Sequence, residues 1–137
     1  MPQIRRSALI LLLALVSLAA ACTQAPRPGG EVQAVAEPLL DSQLAGLRQN
    51  NFELYVKNYD EPMQVMLDRE RFAKLREQIA GKLGTYKSRT YLGSLKKGRD
   101  TQVLWQAKFD KNDDDVLIRL VFTQKQGKNV ILGLYFQ

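Results

Sequence analysis

Few side chains in this sequence of 137 residues are equipped for chemistry, and the missing ones set the first limits. There is no histidine, and Cys22 is the one cysteine. Without imidazole, metal sites lose their commonest ligand and general acid–base chemistry loses its usual agent. A lone thiol cannot close an intramolecular disulfide, so the fold must stand on an apolar core. What remains is a phenol beside an acid, Tyr59 and Asp60, an acidic run "DKNDDD" at 110–115, and a basic stretch holding Lys87, Arg89, Lys96, Lys97 and Arg99.

Each candidate has a bland reading beside its chemical one. Tyr59 and Asp60 have the types for proton transfer, but an acid in "YDEP" commonly caps a turn, so no catalytic residue is assigned. In "DKNDDD", Asp110, Asn112 and Asp114 alternate like the start of a calcium loop. The position that needs glycine is Asp115, and the closing glutamate's place falls on Val121. A polar hairpin turn is expected, with no metal and no cofactor. From Lys82 to Arg99 no acid interrupts the basic residues. They suit an anionic surface such as lipid phosphates, or else lysines that keep a strand edge unpaired. A nucleic-acid surface would want aromatics placed to stack among the basic residues, and an exported chain makes nucleic acid an unexpected partner.

Cys22 stands at a seam. Arg5 and Arg6 precede the apolar run "ALILLLALVSLAAA" (8–21), which ends in small residues and is short for a membrane span. This is the layout of an export signal over 1–21, and "IRRSALI" lacks the flanking residues of a twin-arginine signal. The signal takes two of the 20 basic residues and none of the 14 acidic, which leaves 18 against 14, a net +4. That balance is mildly basic.

Leu18 followed by Ala19-Ala20-Ala21-Cys22 resembles the lipobox of bacterial lipoproteins, with alanine where leucine is preferred three residues before the cysteine. The resemblance implies acyl chains on Cys22 and hence membrane attachment without a protein span. Plain cleavage after Ala21 would leave an exposed thiol in an oxidising compartment. By the same resemblance Thr23, in place of aspartate, implies the outer membrane facing the periplasm, or the cell membrane in a host with only one. "TQAPRPGGEVQ" then reads as a tether, giving a signal at 1–21, a linker at 22–31 and one domain at 32–137.

Within that domain Val32, Ala36, Leu40, Leu44 and Leu47 recur at helical spacing. Pro38 predicts either a kink or a start near Glu37. Asn51 is placed to cap a short helix carrying Phe52, Tyr55, Val56 and Tyr59, with a break at "YDEP". Asp68 caps Arg69 to Leu83, whose stripe is Phe72, Leu75, Ile79 and Leu83, and Gly84 closes it. The period then becomes two, predicting strands at 87–95, 102–110, 115–124 and 129–137 joined by short turns. Val103, Trp105, Ala107 and Phe109, then Val116, Ile118, Leu120 and Phe122, then Val130, Leu132, Leu134 and Phe136 are expected to face the helices. Leu104, Leu117, Val121, Ile131 and Tyr135 fall on the opposite face, which suits either a homodimer through the sheet or scattered exposed apolar residues.

The fold class is therefore α+β, with N-terminal helices packed on a curved, cone-like sheet of four antiparallel strands. Helices followed by a meander resemble the nuclear-transport-factor-2-like superfamily, with its cystatin-like small domains. "LRQNNFELYVKNYDEPM" and "FAKLREQIAGKLGTYKSRTYLG" look like phrases of small bacterial domains of unknown function within it. Enzymes on that scaffold place an acid and a tyrosine in the cone, which implies the alternative of an isomerase- or hydrolase-like activity at its mouth. The inward strand positions are apolar, so a non-enzymatic envelope lipoprotein is expected. Its partner would be an envelope protein or a small apolar ligand, and a pocket would be walled by Trp105, Phe109, Phe122 and Tyr59.

Overall fold

A computed structural model describes residues 29–137. Cys22, the export signal and the tether up to residue 28 lie outside the described residues. Helices come first: α1 (Gly30–Gln49), α2 (Phe52–Val56), α3 (Glu61–Met66) and α4 (Arg69–Lys82). Strands β1 (Tyr86–Lys97), β2 (Asp100–Phe109), β3 (Asn112–Lys125) and β4 (Lys128–Phe136) follow, in the spatial order β1-β2-β3-β4 with every neighbour antiparallel. No helix among the described residues is long and apolar enough to cross a membrane.

Helix α1 begins at Gly30 and runs through Pro38, so the predicted start near Glu37 is corrected. Proline has no N–H to offer the preceding turn, yet Ala36 on one side of it and Leu39 and Leu40 on the other are buried. Packing on both flanks holds the helix together across the missing bond. Asn50 takes a left-handed conformation and its N–H bonds the Gly46 carbonyl, ending α1. Asn51 then caps α2 through its side chain, which accepts from the Leu54 N–H at 2.9 Å. Gly46 permits the two helices to touch, because a Cβ there would stand 2.8 Å from the Tyr55 backbone.

The predicted break at 59–62 contains a short helix, α3, with Pro62 in its first turn, where the missing N–H is harmless. Tyr59 lies outside α2 and bridges Ile131 instead. The Asp60 N–H donates to the Ile131 carbonyl at 2.9 Å and the Ile131 N–H to the Asn58 carbonyl at 2.7 Å. This strap covers part of the β4 edge. Asp68 caps α4 by accepting from the Arg71 N–H at 2.7 Å, as its position predicted.

The inner face of β2 and β3 is as expected: Val103, Trp105, Ala107, Phe109, Val116, Ile118, Leu120 and Phe122 are buried. On β4 the expectation fails in part. Phe122 pairs with Ile131 and Val121 with Gly133, so Leu132 is an extra residue and side-chain parity inverts there. Ile131 is completely buried in the core, whereas Val130 and Leu132 are half-buried. Beyond the irregularity Leu134 and Phe136 pack on the core. The outer face retains exposed Leu92, Leu95 and Tyr135. Tyr135 lies across Gly133 and carries the Arg119 guanidinium 4.4 Å above its ring. Among the described residues the buried side chains come from residues 36–131 and supply both layers of a core, which is what a segment needs to fold by itself.

Candidate functional site

The C-terminal half of α1, the second half of α4, the start of β1 and the ends of β2 and β4 frame a cleft of about 480 Å³. Its apolar walls are Leu44 and Leu47 from α1, Ile79 from α4, and Phe109 and Phe136 from the sheet. Tyr86 packs edge-on to Phe109 with ring centroids 5.8 Å apart, and Phe109 packs edge-on to Phe136 at 6.2 Å, so a row of three aromatics lines the cleft. A volume of this size lies in the range of small-molecule sites.

The charged residues of the cleft lining are Arg48, Arg76, Arg89 and Asp41. Arg76 is held in place by neutral acceptors. Its Nε donates to the Leu47 carbonyl and its Nη1 to the Asn50 side-chain oxygen, both at 2.8 Å. Arg48 is exposed and has no hydrogen bond or ion pair among the described residues. Arg89 is different. It donates through Nε to Glu37 at 2.9 Å and through Nη2 to Glu37 and to Asp41, the latter at 2.7 Å. Glu37 also accepts from Trp105 Nε1 at 3.0 Å and from Gln33 Nε2 at 3.1 Å. Burial pushes the Glu37 carboxyl up, but the hydrogen bonds from Arg89, Trp105 and Gln33 outweigh it, and its pKa lies below the ordinary value. Burial likewise opposes the charge on Arg89, and its bonds to Glu37, Asp41 and Tyr86 raise its pKa overall.

The residues expected to wall one pocket are distributed. Phe109 lines this cleft, while Phe122 borders a separate hollow of about 330 Å³ that includes Lys96 and Arg99. Trp105 and Tyr59 line neither and are packed into the core. The expectation of one pocket shared by all four is thereby corrected, because the sheet and helices close over Trp105. The Tyr59 hydroxyl donates to the Tyr55 hydroxyl at 3.1 Å, and Asp60 accepts from Lys125 Nζ at 2.5 Å. Burial, then the neighbouring Tyr55, raises the Tyr59 phenol above its ordinary value.

The basic stretch also divides. Arg89 is an internal ion-pair partner whose side chain is 15 % exposed, so its assignment to an anionic surface is corrected. Lys87 is exposed and stands 4.0 Å from Asp110. Lys96, Lys97 and Arg99 are exposed around the β1–β2 turn, where Lys96 and Arg99 border the smaller hollow opposite Glu31 and Val32 of α1. In the acidic run, Asp110 accepts from the Thr85 N–H at 2.6 Å and Asp115 pairs with Lys108 at 2.7 Å. No cluster of three metal-ligating side chains occurs among the described residues.

No protein-family model matches the chain, and no curated protein matches it. Among solved structures, the chain is similar to a SEC-C motif containing protein from Rhodopseudomonas palustris. The identity is 17 %, the TM-score is 0.48, and the match covers 76 % of this chain and 90 % of that one. It is also similar to an NTF2-like protein of unknown function from Cytophaga hutchinsonii, at 17 % identity and a TM-score of 0.37, over 74 % of this chain and 88 % of that one.

Sequence reading missed Arg48, Arg76 and the cleft itself. Leu44, Leu47 and Ile79 read as core stripes and Phe136 as an inward strand residue, all of them correct as far as they went. The available signal was an arginine beside each stripe, Arg48 after Leu47 and Arg76 after Leu75.

Proposed function

We propose that the protein is a non-enzymatic envelope lipoprotein, held to a membrane by acyl chains on Cys22, whose domain takes a small apolar ligand into the cleft between α1, α4 and the sheet. The observation that carries the binding reading is the cleft's wall: Leu44, Leu47, Ile79, Phe109 and Phe136 offer apolar surface in a space of ligand size. The membrane reading rests on the sequence around Cys22. It is supported by the fact that Lys96 and Arg99 stand beside the first turns of α1, so the chain enters the domain at a basic end suited to anionic headgroups.

Titration calorimetry of the chain from Cys22 to Gln137, carrying Cys22→Ser, with normal alcohols of increasing length tests the first part. Single-site binding that tightens with chain length is expected. Ala80→Trp, at an exposed position on the cleft wall, should weaken it. The absence of binding at every length would refute the ligand reading. For the second part, mass spectrometry of the mature N-terminus should find acyl chains on Cys22, and Cys22→Ser in the full chain should move the protein out of the detergent phase. An unmodified cysteine would refute the anchor.

A further inference from the structure

The geometry points to an anionic head on that ligand: we infer that the cleft binds a free single-chain amphiphile ending in a carboxylate or similar oxyanion, with Arg48 and Arg76 receiving the head. This rests on the ligand reading above and adds the identity of the polar end. Three guanidinium groups line the cleft against one carboxylate, Asp41. Arg89 and Asp41 answer each other, and Glu37 supplies a second acid to Arg89. Arg48 and Arg76 have no acid within ion-pair distance among the described residues.

Arg76 is the better organised of the two. Two of its nitrogens are fixed by the Leu47 carbonyl and the Asn50 amide, and its guanidinium carbon lies 6.0 Å from the centre of the Phe72 ring. Nη2 makes no bond among the described residues. A guanidinium fixed in this way presents its remaining donors without further loss of side-chain freedom. Arg48 precedes the C-terminus of α1 and is unrestrained, so it can close on an anion already seated. A hydrocarbon chain on the aromatic row and an oxyanion between the two arginines would satisfy both halves of the site. A neutral oil would leave the charges unanswered, and a cationic head would be repelled.

The test uses the Cys22→Ser chain from Cys22 to Gln137 and three ten-carbon probes: decanoate, decanol and decylammonium. Decanoate is expected to bind about tenfold more tightly than decanol at low salt, a gap that narrows as salt is added. Decylammonium should bind most weakly. Arg48→Gln should remove about half of the logarithmic advantage of decanoate while leaving decanol unaffected, and Arg48→Glu should reverse the order of the two charged probes. Equal binding of decanoate and decanol, unchanged by Arg48→Gln, would overturn the inference while leaving the apolar-ligand reading standing. Failure of all three probes to bind would overturn that reading itself. Sedimentation with phosphatidylglycerol vesicles that depends on Arg48 and is not relieved by decanoate would move the anion to a membrane surface and overturn the free amphiphile.

Discussion

Arg89 of β1 and Glu37 of α1 form an ion pair under the domain's longest helix, and Trp105 donates to the same carboxylate at 3.0 Å. Both charges are largely withdrawn from water, at 15 % and 28 % side-chain exposure. Removing one partner therefore strands the other. Arg89→Met is expected to cost about 2–3 kcal/mol, below the full figure for a completely buried pair because some solvent reaches Glu37. The double replacement Arg89→Met with Glu37→Leu should cost less than the single one. Urea denaturation of wild type and the two variants checks this, and a double variant less stable than Arg89→Met alone would refute it.

The same carboxylate makes stability depend on pH. Folding lowers the Glu37 pKa, so its contribution is complete above the ordinary value of 4.5 and is lost as the pH falls below it through the folded value. The denaturation midpoint of wild type should fall over that range more steeply than that of Glu37→Gln. Parallel profiles would show that the group does not report on folding.

Gln43 is completely buried, and neither its Nε2 nor its Oε1 has a hydrogen-bond partner among the described residues. An unsatisfied buried amide costs about 1–3 kcal/mol. Gln43→Met keeps the shape and should raise stability by about 1 kcal/mol or more. A loss of stability in the same measurement would mean that the amide is satisfied by bound water.

Gly84 follows α4 with φ of +85°, and a Cβ there would collide with Asp110 Oδ1. Asp110 is held in place by the Thr85 N–H, which with Lys87 and Lys111 lowers its pKa. Gly84→Ala should destabilise by about 2 kcal/mol, from left-handed strain and the clash together. Adding Asp110→Ala should relieve only the contact with Oδ1, since Lys111 Cγ and Cβ would still stand 2.7 and 2.9 Å from the new Cβ and the strain remains. Thermal melts should therefore show the double variant still less stable than Asp110→Ala alone.

The irregularity at Leu132 makes a further claim. Ile131→Ala should cost about 2–4 kcal/mol and Leu132→Ala less than about 1 kcal/mol. The opposite ranking in denaturant would restore simple alternation along β4.

These residues also mark what the sequence could and could not disclose. Regular period carried the reading well: the stripe of α4, the caps at Asn51 and Asp68, and the inward faces of β2 and β3 follow from spacing. Parity failed at the start of β4 because the extra residue Leu132 turns Ile131 inward in place of Val130 while Leu134 and Phe136 keep their expected face, and no composition signal marks it. Arg89 looked like one of a run of surface cations because its two acids lie on α1, far away in sequence. The cleft was invisible for the same reason. Apolar periodicity says that Leu44, Leu47 and Ile79 avoid water, but not whether the space between their helices is filled.

The length of α1 sets the cleft apart from the end at which the described residues begin. Val32 borders the hollow near the first turns of the helix and Arg48 the cleft near its last. At 1.5 Å per residue about 24 Å of rod separates them. If acyl chains on Cys22 moor the protein as proposed, the residues around Arg48 stand about a full helix length from the end of α1 that the tether reaches.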